Sequence, residues 1–167
     1  TMVARFMFMK RQDTIVKAIK ELPSKFHACF VGSEPTDIGL LKVKELAEQL
    51  GVSDRIHFLY LRSDVPRILK TSDVLVMSSE YEGLSLSSIE GMAAGKPFIA
   101  TDVNGLREVV KGAGELFELY NCDELSKILI RLEADKQYYD DMVARCRKRA
   151  SEYDINNMVD QYMDVYK

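Results

Sequence analysis

The sequence has no apolar run approaching the ~20 residues that a membrane-spanning helix needs, and no stretch has the make-up of a signal peptide. It also lacks an excess of positive charge. Its 23 Lys and Arg against 26 Asp and Glu leave a formal net charge of -3, which argues against nucleic acid as a partner. Cysteine is scarce. Cys29, Cys122 and Cys146 are odd in number, far apart and without metal-type neighbours, as expected of reduced thiols in packing positions. No G-x-G-x-x-G follows the first strand-like run, which argues against a dinucleotide cofactor of the usual Rossmann kind. No Walker-type loop is present, which argues against an ATPase. Neither His27 nor His57 has a second His, Cys or acid at metal-ligand spacing, so both read as strand residues. Repeats, linkers and low-complexity tracts are absent too, and 1–167 is expected to be one domain.

What is present is an alternation of strand and helix. Apolar, strand-forming runs cover 2–9, 26–33, 55–60, 73–79, 97–102 and 114–119. Helical patterns fall between them at 11–22, 38–50, 64–72, 84–95 and 105–111. From Asp123 onward the chain reads as wholly helical, with breaks near Asp135 and at Tyr153–Asp154. The strands do not alternate apolar with polar, so they should be buried on both faces of a parallel sheet. The expected fold is α/β, a Rossmann-like doubly wound parallel sheet of about six strands with a helical C-terminal segment. Ligands bind such sheets at the carboxyl ends of the strands, which selects the loops after residues 9, 33, 60, 79 and 102.

The fourth of these loops opens the stretch SSEYEGLSLSSIEGMAAGKP (78–97). Gly83 lets a ligand approach the backbone, and Ser85, Ser87 and Ser88 crowd the first turn of the helix. They suit either an ordinary N-cap or a helix N-terminus that binds phosphate or sugar hydroxyls. Glu90 is a carboxylate among apolar neighbours. Helical side chains lean toward the N-terminus, so it either reaches the cleft and binds a diol such as a ribose or lies on the polar face. In the first loop, Arg5 is set in an apolar run and Lys10 at its end, a pair able to face a diphosphate. A buried arginine implies a fixed anionic partner for Arg5, in the protein or in a ligand. The basic run ARCRKR (144–149) reads as a solvated helix face before a contact for an anionic membrane. Tyr153, Met158 and Tyr162, at helical spacing, read as packing residues.

EGLSLSSIE matches the pattern of a glutamate, seven residues and a second glutamate found in the retaining glycosyltransferases of family 4, the glycosyl transferase group 1 proteins. The chain resembles the C-terminal, donor-binding half of their two-domain GT-B fold. The resemblance runs in order through Arg5 with Lys10, FVGSEP, RIHFLYLRSDVPRILKTSDVLVMSS, the two-glutamate motif and GMAAGKPFIATDVNGLREVV. It implies that Arg5 and Lys10 bind the donor diphosphate and that Glu90 holds the ribose hydroxyls. It places Glu82 beside the donor sugar, with Arg5 and Lys10 completing the catalytic set. Backbone around Gly83, Leu84, Ser85 and Leu86 would contact sugar and phosphates, and Tyr60, Leu61 and Arg62 would frame the base. Gly32 and Ser33 would line the cleft beside it. Three positions depart from the family: Ala4 stands where Gly is common before the arginine, Tyr60 where Gly is usual, and Ser85 where Gly is frequent.

The implied activity is transfer of a hexose-type sugar from a UDP- or GDP-sugar to a polysaccharide, lipopolysaccharide or glycolipid acceptor. No cofactor and no metal are implied; the nucleotide sugar is a substrate. The family's N-terminal acceptor-binding domain lies outside this chain, so the fragment should bind donor and transfer poorly or not at all. The abrupt entry of TMVARFMF into an apolar run is expected of a piece of a longer protein. The expected location is cytoplasmic, with peripheral association of the full-length enzyme on the inner face of the membrane. Two alternatives stand beside this reading. One is a separate donor-binding subunit that needs a partner chain; the other is a flavodoxin-like regulatory domain that shares only the fold.

Overall fold

Six apolar runs become short parallel strands because each is flanked by helices that cover it from both sides. They are β1 (Met2–Val3), β2 (Ala28–Val31), β3 (Ile56–Tyr60), β4 (Leu75–Met77), β5 (Phe98–Thr101) and β6 (Glu115–Phe117). A computed structural model describes residues 1–33 and 35–166. Two three-stranded parallel sheets, β1-β2-β3 and β4-β5-β6, meet along β1 and β4. There the nitrogen of Thr1 donates to Val74 O at 2.8 Å, and Val76 N donates to Thr1 O at 2.9 Å. Read across this seam, the order is 3-2-1-4-5-6, that of a doubly wound sheet. The Rossmann-like α/β fold expected from the pattern is present.

The helices are α1 (Gln12–Glu21), α2 (Ile38–Gln49), α3 (Val65–Thr71), α4 (Leu86–Ala93), α5 (Leu106–Val110), α6 (Cys122–Ala134), α7 (Lys136–Ser151) and α8 (Ile155–Val165). Phe30, Phe98, Phe117, Met77 and Ile99 are among the fully buried side chains between sheet and helices. Burial of such a side chain is worth about 1.5–3 kcal/mol against exposure. Phe6, Phe30 and Phe58 form a ring cluster with centroids 5.6–5.9 Å apart.

Three sequence expectations are corrected. The first strand does not span 2–9: it ends at Val3, and Phe8–Lys10 is a 3-10 turn. Phe6 N leaves the strand ladder for Ser33 Oγ at 3.0 Å, and Met7, Phe8 and Met9 point outward despite being apolar. The arginines of ARCRKR are not simply solvated. Arg149 Nε donates to Val109 O at the end of α5, and Arg145 Nε to Ala113 O in the turn that follows it. Of the three residues read as packing, only Tyr153 packs against the core. Met158 and Tyr162 are 46% and 60% exposed, on a helix with no buried residue.

Candidate functional site

The seam places the carboxyl ends of β1 and β4 side by side, the point where a doubly wound sheet reverses direction and opens a crevice. Beyond β1 the chain turns through Phe8–Lys10 to Arg11, whose backbone is left-handed at φ 50. Beyond β4 come Ser78 and Ser79, both fully buried. Ser78 Oγ donates to Lys10 O at 3.0 Å and Arg11 O at 2.9 Å, and Glu80 N donates to Met9 O at 2.7 Å. The two loops are thus stitched together by backbone acceptors, and across the stitches their charged side chains meet. Lys10 Nζ lies 2.6 Å from Glu82 Oε1, and Ser79 Oγ donates to the same oxygen at 2.7 Å. The pair is well shielded, with side chains 19% and 12% exposed. A charge-assisted contact in such a setting is stronger than a surface ion pair.

Beside this pair lies the N-terminus of α4. Ser85 occupies the N-cap position, but its side chain makes no capping bond. Ser88 Oγ donates to Ser85 Oγ at 2.7 Å, both side chains being buried. The ordinary N-cap reading is therefore corrected. Among the described residues, the amides of Gly83, Leu84, Ser85, Leu86 and Ser87 donate no hydrogen bond. Free amides and the positive end of the helix dipole together favour an anion or hydroxyl oxygens here.

Glu90 lies in the second turn of α4, on an exposed face shared with Leu86 and Ala93, and no hydrogen bond or ion pair engages its carboxylate among the described residues. Glu82 stands in the loop ahead of the helix. The eight-residue interval between the glutamates is therefore half loop and half helix, not two helical turns. Gly105 backs the Glu82–Gly83 turn. It adopts φ +83, and a Cβ there would collide with the carbonyl oxygens of Glu82 and Gly83.

The remaining expected residues lie at the carboxyl ends of β1, β2 and β3. Arg5 lies past the end of β1 and is exposed, so its expected burial is corrected. Among the described residues its guanidinium has no partner, which leaves it open to an external anion. Gly32 follows β2 and donates its amide to Tyr60 O at 2.9 Å. Ser33 is buried, accepting from Phe6 N and donating to Asp37 at 3.3 Å, so its hydroxyl is engaged internally. Tyr60 sits at φ 56, a left-handed conformation. That is the physical reason glycine suits this position, and Tyr60 offsets the strain with contacts to Lys44, 3.3 Å from its hydroxyl and 5.5 Å above its ring. Leu61 is exposed, and Arg62 is held bidentately by Asp64 at 2.8 and 3.0 Å. That bond from Arg62 holds the Asp64 carboxyl below its ordinary range.

Sequence pattern does not single out Ser78, Ser79, Arg11, Tyr120 or Gly105. The available signal was two consecutive serines ending an apolar strand, where a buried hydroxyl needs a partner. The guanidinium of Arg11 lies 4.9 Å from the Phe8 ring centre and 4.6 Å from that of Tyr120. Tyr120 in turn donates to Glu80 at 2.8 Å, and this bond raises its pKa. His27, one residue before β2, and His57, in β3, bring Nδ1 and Nε2 within 2.9 Å. They lie before and early in their strands, away from the carboxyl-end crevice. Among the described residues, no group of three or more His, Cys, Asp or Glu is placed to hold a metal ion.

The profile of the glycosyl transferases group 1 family matches residues 1–152. The chain belongs to that family. It is 29% identical over 169 residues to the N-acetyl-alpha-D-glucosaminyl L-malate synthase of Bacillus anthracis, covering 98% of this chain and 44% of that protein. It is 34% identical over 120 residues to a UDP-Gal:alpha-D-GlcNAc-diphosphoundecaprenol alpha-1,3-galactosyltransferase of Escherichia coli, covering 70% of this chain and 31% of that protein. In fold it is similar to HepE of Anabaena, solved in complex with UDP, with a TM-score of 0.92 and 23% identity; the match covers 99% of this chain and 48% of HepE. The chain spans less than half the length of these relatives. The resemblance carried by EGLSLSSIE is borne out at the level of family and fold.

Proposed function

We propose that this glycosyl transferases group 1 chain is the donor-binding half of a retaining GT-B enzyme. The enzyme would move a hexose-type sugar from a UDP- or GDP-sugar to a polysaccharide, lipopolysaccharide or glycolipid acceptor. The observation that carries the reading is the seam itself. A shielded lysine–glutamate pair stands beside five free backbone amides at the crevice of a doubly wound sheet. The relatives' names, and the UDP in the HepE crystal, support a nucleoside diphosphate at this crevice.

Lys10, Arg5 and the amides of Gly83–Ser87 would surround the donor's diphosphate. As the bond between the anomeric carbon and the diphosphate breaks, negative charge grows on the departing oxygen. Donors already aimed at that charge stabilise it more in the transition state than in the ground state, which is what raises the rate. Glu82 would address the donor sugar and Glu90 the ribose hydroxyls. Gly32, Leu61 and the backbone of Tyr60 would flank the base. No step needs a metal or cofactor in this scheme.

The acceptor would be held by a separate N-terminal half. α8 supports this, because Ile155, Met158, Val159, Tyr162 and Met163 form an exposed apolar face that no described residue covers. No helix among the described residues is long and apolar enough to cross a membrane, and peripheral association of the full-length enzyme remains part of the proposal. Titration calorimetry of the full-length protein with UDP and GDP tests the reading. Binding of one of them is expected, and no heat from either at concentrations near millimolar overturns it. The isolated 1–167 chain is expected to bind the same nucleotide without transferring sugar.

A further inference from the structure

Ser78 and Ser79 are adjacent, fully buried and turned to different tasks. Ser78 grips the backbone from which Lys10 projects, through Lys10 O and Arg11 O. Ser79 grips the carboxylate to which the Lys10 ammonium is bound. The Ser79 backbone is itself fixed, since the buried Thr101 hydroxyl donates to Ser79 O from the neighbouring strand. Its hydroxyl therefore carries one proton, and Glu82 Oε1 accepts it at 2.7 Å. Without that bond, Glu82 would have Lys10 as its one partner among the described residues and would be free to rotate with it.

We infer that Ser79 is a positioning residue, which through Glu82 holds the Lys10 ammonium at the place where the donor's β-phosphate is received. The inference rests on the proposed donor reading. Its physical content is preorganisation. An ammonium on a flexible four-carbon stem loses rotamer freedom when it captures an anion, and a contact that has already ordered it reduces that loss on binding. Because Ser79 bonds the same Glu82 oxygen, the ammonium can turn to a phosphate oxygen without leaving Glu82 unbonded. Ser79 touches no part of the donor in this arrangement and acts through two side chains.

The test compares UDP with UMP, which lacks the β-phosphate, on the full-length protein carrying Ser79→Ala, Ser79→Thr or no change. Ser79→Ala is expected to weaken UDP by about tenfold, the size of one hydrogen bond to a charged group, and to leave UMP affinity unchanged. Ser79→Thr, which keeps the hydroxyl, restores UDP binding. Equal losses for UDP and UMP together with a lowered Tm would show a merely structural serine and overturn the inference; so would unchanged affinity for both. A second readout needs no ligand. Acylation of Lys10 by an amine-directed reagent, followed by mass spectrometry, should speed up several-fold in Ser79→Ala, and an unchanged rate sinks the inference. Should the unchanged protein bind neither UDP nor GDP, the donor reading falls and takes the phosphate role of Lys10 with it. The acylation rate still decides whether Ser79 holds the pair.

Discussion

The two loops that meet at the seam solve one problem in opposite ways. On the β1 side, binding groups are side chains: Arg5 is exposed and has no partner among the described residues, while Lys10 is well shielded and held. On the β4 side, they are mostly backbone amides at the mouth of α4, fixed by the helix and by a turn packed on Gly105. Side-chain charges reach far but must be ordered. Backbone donors arrive ordered, have no rotamers to lose and, proline aside, survive any substitution. The β1 side should therefore be disabled one residue at a time, and the β4 side only by distorting its path.

The largest effect is expected where the backbone path itself is forced. Gly105→Ala adds a Cβ at φ +83 and drives it into the Glu82 and Gly83 carbonyls. Left-handed strain and overpacking should together cost about 3 kcal/mol of stability, read by urea unfolding. Nucleotide binding should fall with it, because the turn must move away from α5. Wild-type stability in this variant would mean that the β4 side is more pliant than its packing indicates. Next comes Lys10→Ala. Removing a charged donor to the diphosphate should weaken UDP by roughly 10- to 100-fold and UMP much less, by calorimetry. An equal loss for both nucleotides would take Lys10 away from the β-phosphate.

The same contrast explains what was legible in the sequence. The strand–helix alternation, the parallel sheet, the α6, α7 and α8 boundaries and the position of the crevice all follow from local pattern, since buried strands and amphipathic helices leave a periodic trace. EGLSLSSIE was legible because its residue types and spacing are specific. The hold of Ser79 on Glu82 and the packing of Gly105 under that turn were not. Ser79 and Glu82 are only three positions apart, but the loop path that joins their side chains leaves no periodic trace, and Gly105 meets the Glu82–Gly83 turn only because β5 lies beside β4. Lys10 and Glu82 are 72 positions apart, and no spacing rule connects them. Apolar character also misled at two places. Met7, Phe8 and Met9 look like strand but lie at the crevice rim, and the apolar stripe of α8 looks like core but faces outward. In both cases hydrophobicity reports that a surface is to be covered without saying by what.

Two smaller effects sharpen the comparison, because they involve exposed residues whose loss should not disturb the fold. Glu90→Ala removes an acceptor for a ribose diol and is expected to weaken UDP several-fold, with Tm unchanged. Affinity equal to wild type would return Glu90 to the role of a solvated helix residue. Arg5→Ala should leave ligand-free properties as little changed as Glu90→Ala does, since among the described residues its guanidinium makes no hydrogen bond or ion pair. Its contribution to UDP binding should be a few-fold at low ionic strength and shrink as salt is added, because a solvent-exposed charge is screened over about 10 Å at 0.1 M salt. Lys10, shielded beside Glu82, should lose less of its contribution to the same salt. Measuring UDP affinity against salt for both variants therefore tests the difference between a free cation and a held one. Parallel salt dependences would mean that the Lys10–Glu82–Ser79 contact confers no advantage once the diphosphate is bound.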